Sequence, residues 1–238
     1  MILSELIQRS PVRIFEQSIN GGLKPGEIGA IASPNGVGKT SVLVQLALDK
    51  LLQGKKVIHV SFTQHTHYVL MWYEDIFSEF ISKKNLENAA DIKNDLVKNR
   101  VLMNFNQDGV TKEQILKSLH AMIIDGGFKA DSIIIDGFDF SRINHPADKN
   151  SFDRVKFFAE ELGLSVWYSC SVKDDGPQYN KENIPVVLSK LISQIDIVIV
   201  LQPEHDHVEL SISKDRNAII SKPMAMKLDP KTLLILEA

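Results

Sequence analysis

The octapeptide SPNGVGKT, Ser33 to Thr40, decides how the rest of this chain is read. It departs by one residue from G-x-x-x-x-G-K-[ST], a loop whose backbone N–H groups and following helix N-terminus converge on phosphate. Ser33 stands where the first glycine belongs. A small residue still makes that turn if its φ stays negative, so the departure is expected to be harmless. The flanks agree with the loop. EIGAIAS (27–33) reads as a buried strand, and TSVLVQLALDKLLQG (40–54) as a helix that stops at Gly54. In that setting Ser33, Pro34, Asn35, Gly36, Val37, Gly38, Lys39, Thr40 and Ser41 form a candidate nucleotide-binding segment. Gly36 and Gly38 allow close backbone approach, Lys39 reaches the β- and γ-phosphates, and the Thr40 hydroxyl holds Mg²⁺. The cofactors this implies are ATP and Mg²⁺.

A metal shell of that kind needs a second oxygen ligand, supplied by an acid that closes a buried strand. Asp136 fits, because the apolar run SIII (132–135) leads straight into it. A carboxylate at the C-terminal edge of a sheet is expected beside the loop of a neighbouring strand.

Outward from the loop, short apolar runs alternate with helical patterns. Strands are expected at KVIHVSF (56–62), VLMNFN (101–106), SIIIDGF (132–138), SVWYSC (165–170) and DIVIVLQ (196–202). Helices are expected over 68–84, 86–98, 111–124 with Thr111 as cap, 150–162 and 184–194. HVELSISK (207–214) and TLLILE (232–237) read as an antiparallel edge. The predicted fold is α/β: one domain over residues 1–238, with a mainly parallel sheet flanked by helices and an antiparallel C-terminal edge.

Composition narrows the classes. The chain has 238 residues, 44% hydrophobic and 24% charged, with a net charge of −3 from 27 basic and 30 acidic residues. That is ordinary for a soluble domain and leaves no polybasic footprint for nucleic acid. The single cysteine, Cys170, excludes an internal disulfide and a cysteine-built zinc site, and suits a reducing compartment. No apolar run approaches the roughly 20 residues of a membrane span. MILSELIQRS (1–10) lacks a signal-peptide layout. A cytoplasmic protein with no membrane partner is expected.

INGGLKPGEIGAIASPNGVGKTSVLVQLA (19–47) resembles the opening of RecA-superfamily ATPases in the branch that holds RadA/Sms, KaiC and the DnaB helicases. PVVLSKLISQIDIVIVLQPEHDHVELSISKDRN (185–217) is similar to the segment of that branch that ends in a K-x-R signature. The resemblance implies a RecA-like P-loop NTPase fold, and a homo-oligomeric ring or filament with nucleotide at each interface. It also implies that Lys214 and Arg216 lie on a hairpin and touch a neighbour's γ-phosphate, a finger supplied in trans.

Two departures from the family bear on catalysis. Family members carry a glutamate at the end of the strand after the loop helix, where it activates the attacking water. Here that stretch is VIHVSFTQHTH (57–67), which puts Thr63 or Gln64 at the position. Gln64 can orient a water by hydrogen bonding but cannot take its proton. The residue after Asp136 is Gly137, so relatives with an acid there give no alternative. Cys170 stands where DnaB-type helicases place a γ-phosphate-sensing glutamine. Binding with slow or undetectable hydrolysis is therefore expected, with Lys39, Gln64, Lys214 and Arg216 as the catalytic set. Glu74, Asp75 or Asp139 would have to replace the base if turnover is brisk.

Relatives that bind DNA use two loops, here GFDFSRINHPADKNSFDR (137–154) and SVKDDGPQYNKENIP (171–185). Arg142, Lys149 and Arg154 are offset by Asp139, Asp148 and Asp153; Lys173 and Lys181 are offset by Asp174, Asp175 and Glu182. Few phosphate contacts are on offer. Phe140 or Tyr179 could stack a base, although a lone loop aromatic is more often packing. HTH (65–67) and HDH (205–207) lack a third metal ligand nearby. The stripe at 69, 72, 73, 76, 77 and 80 reads as core before it reads as a docking face. The function expected is a nucleotide-dependent oligomeric switch or assembly factor, with a protein partner. The alternatives are an active DNA-dependent ATPase and a degenerate structural partner of one.

Overall fold

β-Branched apolar runs with no charge to expose become the central strands. β1 (Ile28–Ser33), β2 (Val57–Ser61) and β4 (Ser132–Asp136) are buried along their whole length, as strands covered on both faces must be. The computed structural model describes residues 7, 10–84, 89–106, 109, 111–143, 146–172 and 178–237. In it β3 (Arg100–Asn104), β5 (Ser165–Ser171) and β6 (Ile197–Pro203) join β1, β2 and β4 in parallel. β7 (Val208–Asp215), β8 (Ala218–Leu228) and β9 (Ile235–Glu237) continue the sheet antiparallel. The nine strands run in the order β3-β2-β4-β5-β1-β6-β7-β8-β9. The fold is α/β, with a mixed sheet and the expected antiparallel edge.

One face of the sheet is covered by α1 (Pro11–Ser18), α2 (Lys39–Leu52), α3 (Thr66–Lys84) and α4 (Ala89–Lys98), the other by α5 (Lys112–His120) and α6 (Pro146–Leu162). Thr111 caps α5 as expected, in a reciprocal box with Gln114, and the helix widens into a π-turn over Ala121–Asp125. Strand alternation assigns side chains to faces: Ile31, Ile134 and Trp167 pack under α2, while Ala30, Ile133 and Val166 pack on the α5–α6 side. The α3 stripe is core, since Val69, Tyr73, Ile76 and Phe77 are buried and Trp72 and Phe80 pack against them. Among the described residues no helix is long and apolar enough to cross a membrane.

Three elements differ from expectation. The helix expected over 184–194 is only a 3₁₀ turn, Val186–Leu188, followed by further turns. Its bonds run i→i−3, as in Leu191 N to Leu188 O at 2.8 Å and Gln194 N to Leu191 O at 2.8 Å. Leu188, Leu191 and Ile195 still reach the core, so the apolar spacing is used without an α-ladder. β8 was hidden by Pro223, which pairs opposite Ser211 on β7. β9 covers only Met226–Leu228 of β8, so the proline sits where the edge away from β7 is open. α1 was overlooked, although Ser10 before Pro11 is a start signal: Ser10 Oγ accepts Val12 N at 3.3 Å.

Candidate functional site

Residues 34–38 join β1 to α2, between the expected strand and the expected helix. Ser33 ends β1 fully buried, keeps its φ negative, and donates its hydroxyl to Pro34 O at 2.9 Å. Its substitution for glycine is accommodated. Asn35 and Gly36 form an exposed crest, with Pro34, Val37 and Gly38 half-buried below it. Gly36 has φ +79° and Gly38 has φ +114°. Gly38 has a second reason to lack a side chain, because a Cβ there would stand 2.4 Å from Leu228 Cδ2 of β8. Gly38 caps α2 without any side-chain acceptor. The helix's own first turn carries no carboxylate to meet the positive end of the dipole; Asp136 approaches that end from β4, through Thr40.

Lys39 is nearly buried and donates to Pro34 O at 2.8 Å, Ser33 O at 3.0 Å and Ser33 Oγ at 3.3 Å. Burial lowers its pKa, with the negative charge of Asp136 pulling the other way.

Asp136 is buried, and its Oδ2 accepts the Thr40 hydroxyl at 2.8 Å. The expectation of a neighbouring strand needs one correction, because β5 lies between β1 and β4. The two residues meet because β5 presents only Ser169 at that level, its hydroxyl accepting Gly137 N at 2.7 Å. Ser61, in register with Asp136, adds another small polar group on the same face. A hydroxyl and a carboxylate are hard oxygen donors of the sort Mg²⁺ takes while phosphates and waters complete its octahedron. Among the described residues no three His, Cys, Asp or Glu side chains converge to hold a metal by themselves.

The end of β2 lies beside this acid, with Phe62 N donating to Asp136 O at 2.9 Å. Gln64 is fixed at its backbone: its N–H donates to Ser61 Oγ at 3.0 Å and its carbonyl accepts Asn104 Nδ2 at 2.7 Å. Its side-chain Oε1 is buried and has no partner among the described residues. Thr63 is exposed and packs on Gly137, where a Cβ would come within 2.6 Å of it and φ is +80°. An acid at position 137 has no room. Cys170 is fully buried in the sheet core, with its thiol pushed up to about 12 by burial, so it stays protonated.

Lys214 and Arg216 are engaged within their own chain. Lys214 donates to Ile192 O at 2.6 Å and to Ile195 O, two carbonyls that the turns after 188 leave without α-helical partners. Burial lowers its pKa, against Asp196. Arg216 sits at φ +55° and grips Glu27 with Nε at 2.8 Å and Nη2 at 2.9 Å. It also donates to Asp215, Ile19 O and Gly22 O. This fork ties the β7–β8 turn to the start of β1. Arg216→Ala is expected to cost about 2 kcal/mol by removing its charge-assisted hydrogen bonds to Glu27, read as a fall of about 5 °C in the thermal midpoint. A wild-type midpoint for Arg216→Ala would remove this structural role.

Sequence reasoning missed two features beside the loop. The β8–β9 turn docks on α2: Leu233 O accepts Ser41 Oγ and, at 2.9 Å, Gln45 Nε2, while Gln45 Oε1 accepts Ile235 N at 2.8 Å. No motif announces this, because it joins residues nearly the length of the chain apart. The second is His59, fully buried on β2, with Nδ1 3.0 Å from the Tyr73 hydroxyl and Nε2 unpartnered. Arg100 lies 4.3 Å over the Tyr73 ring.

The remaining candidates fall away from the loop. Phe140 is buried among Phe138, Phe152 and Tyr168, so it packs rather than stacks a base. Tyr179 is half-buried against the same core. Arg154 pairs with Glu113 at 3.2 Å. Lys173, Asp174 and Asp175 lie outside the described residues, as do the side chains of Arg142, Asp148 and Lys149. His65 and His67 are exposed at the start of α3, and His207 pairs with Asp206. Glu74 pairs with Lys93 at 3.0 Å, and Asp139 caps the 3₁₀ turn at Ser141. Compared with known proteins, the chain matches no family model and no curated protein.

Proposed function

We propose that this chain is a RecA-like ATP-binding protein in which Mg²⁺·ATP on the Ser33–Ser41 segment acts as a switch, with weak or absent hydrolysis. One observation carries the reading: the 2.8 Å bond from Thr40 to Asp136, formed across an intervening strand at the head of a helix that no side chain caps. A chance glycine-rich turn has no reason to bring a buried acid to its Thr. In this reading the loop N–H groups and Lys39 bind the β- and γ-phosphates, and Thr40 and Asp136 hold Mg²⁺. Mg²⁺ would supply charge neutralisation between the phosphates. Gln64 orients water but does not deprotonate it. Assembly into a ring or filament, or with a protein partner, belongs to the proposal. Lys214 and Arg216 are both bound within their own chain, so a contact from either to a neighbour's nucleotide would have to exchange those bonds. Light scattering with ATP, with ADP and with neither tests that part.

Calorimetric titration with Mg²⁺·ATP tests the core of the reading. Lys39→Ala is expected to weaken binding roughly 10- to 100-fold, the loss of charge-assisted hydrogen bonds. Equal affinity in the two proteins would sink the phosphate-loop assignment.

A further inference from the structure

Between the end of β2, α3 and the β8–β9 turn lies a groove of about 670 Å³, a volume typical of small-ligand pockets. Thr63 and Gln64 from the end of β2, and Asp75 and Glu79 from α3, line one wall; Lys231 and Thr232 of the β8–β9 turn line the other. The turn is held firmly. Asp229 accepts Lys231 N at 3.0 Å and the Thr232 hydroxyl at 2.7 Å, and Leu233 carries the bonds to Ser41 and Gln45. Lys231 is thus anchored, through its backbone, to the helix that begins at the phosphate loop. Its side chain is exposed and forms no ion pair with any described residue, although two carboxylates line the opposite wall.

We propose that Lys231 is a cation supplied in cis to the phosphate chain of the bound nucleotide. The inference rests on the phosphate-loop reading above and adds a residue and a turn to it. Three observations support it. The groove joins Lys231 to Gln64, two residues beyond Phe62, whose N–H donates to the carbonyl of Asp136. The turn contacts Ser41, the residue that follows Thr40 in the loop's helix. Lys214 and Arg216, which a finger in trans would use, are already bound to Ile192, Ile195 and Glu27. A lysine suits this task because its compact charge rides on a flexible stem and needs no fixed fork geometry. Asp75 and Glu79 repel phosphate from the middle of α3, which leaves the end near Gln64 for the anion.

The test is titration calorimetry of the full chain with Mg²⁺·ATP at low and at moderate salt. Lys231→Gln is expected to weaken binding about five- to tenfold and Lys231→Glu more than tenfold, with the difference shrinking as salt screens it. Lys231→Arg keeps affinity within about twofold, since the charge remains. Wild-type affinity in Lys231→Glu overturns the assignment. So does a lowered thermal midpoint with unchanged affinity in Lys231→Gln, which would mean that Lys231 serves Asp75 or Glu79 instead. Failure of the underlying reading is distinguishable: if Lys39→Ala leaves ATP binding intact, the loop assignment itself falls, whereas loss at Lys39 alone removes only the role of Lys231.

Discussion

Gln64→Glu is expected to raise steady-state ATP turnover at least about 100-fold over a slow wild-type rate, the usual contribution of a positioned general base. The substitution changes one atom and no volume. The backbone of Gln64 is already pinned to Ser61 on β2 and to Asn104 on β3, so the new carboxylate inherits a fixed position. The amide nitrogen is what it replaces; the oxygen it keeps is buried with no partner among the described residues. A carboxylate there loses solvation and feels the negative charge of Asp136. Both effects push its pKa up toward neutrality, where a base is most effective. Lys39→Ala in the same background should return turnover to the starting rate. Unchanged turnover in Gln64→Glu, with ATP still bound, would show that the missing carboxylate is not the limit. Brisk turnover in the wild type, kept in Gln64→Ala, would place the base elsewhere. Asp75 is then the first residue to test, since it lines the groove with Gln64 while Glu74 and Asp139 have partners of their own.

Local physics made the loop legible. A strand, a Gly-rich turn and a helix in sequence are enough to place Ser33 to Thr40, and a β-branched run ending in acid is enough to single out Asp136. The strands β1, β2, β4 and β6 were legible for the same reason: they are short, apolar and bounded by breakers. What stayed hidden depends on contacts between distant segments. Lys214 and Arg216 resemble a finger, yet their partners are main-chain carbonyls after residue 188 and a glutamate before β1, which no spacing rule connects to them. The docking of Leu233 on Ser41 and Gln45 is equally non-local. β8 was missed because a proline inside a strand is usually evidence against one, and only the open edge beside Pro223 removes that objection. The turns over 189–194 keep a helix-like apolar spacing while using 3₁₀-type bonds, so periodicity alone predicts an α-helix there.

Acid is expected to destabilise this fold earlier than its surface carboxylates alone would, through His59. The imidazole is fully buried, and burial depresses its pKa from 6.5 to about 4, with Asp136 acting to raise it and Arg100 to lower it. Above pH 6.5 the ring is neutral in both folded and unfolded chains, and its full contribution to stability is present. Between pH 6.5 and about 4 the unfolded chain binds a proton that the folded chain refuses, so stability falls with pH. The gap corresponds to about 3 kcal/mol, a large share of a typical domain's stability. The double variant His59→Leu/Tyr73→Phe removes the ring and the hydroxyl it faces together, which leaves no orphaned partner and should hold stability near neutral pH. Denaturant titrations from pH 7 to 4.5 should show the dependence of unfolding free energy on pH reduced by about one proton in the double variant. Equal slopes in the two proteins would mean that His59 takes up its proton without unfolding the chain. The buried layer from Thr40 through Asp136 would then be open to water, and the low dielectric that gives Lys39 its electrostatic leverage at the loop would be lost with it.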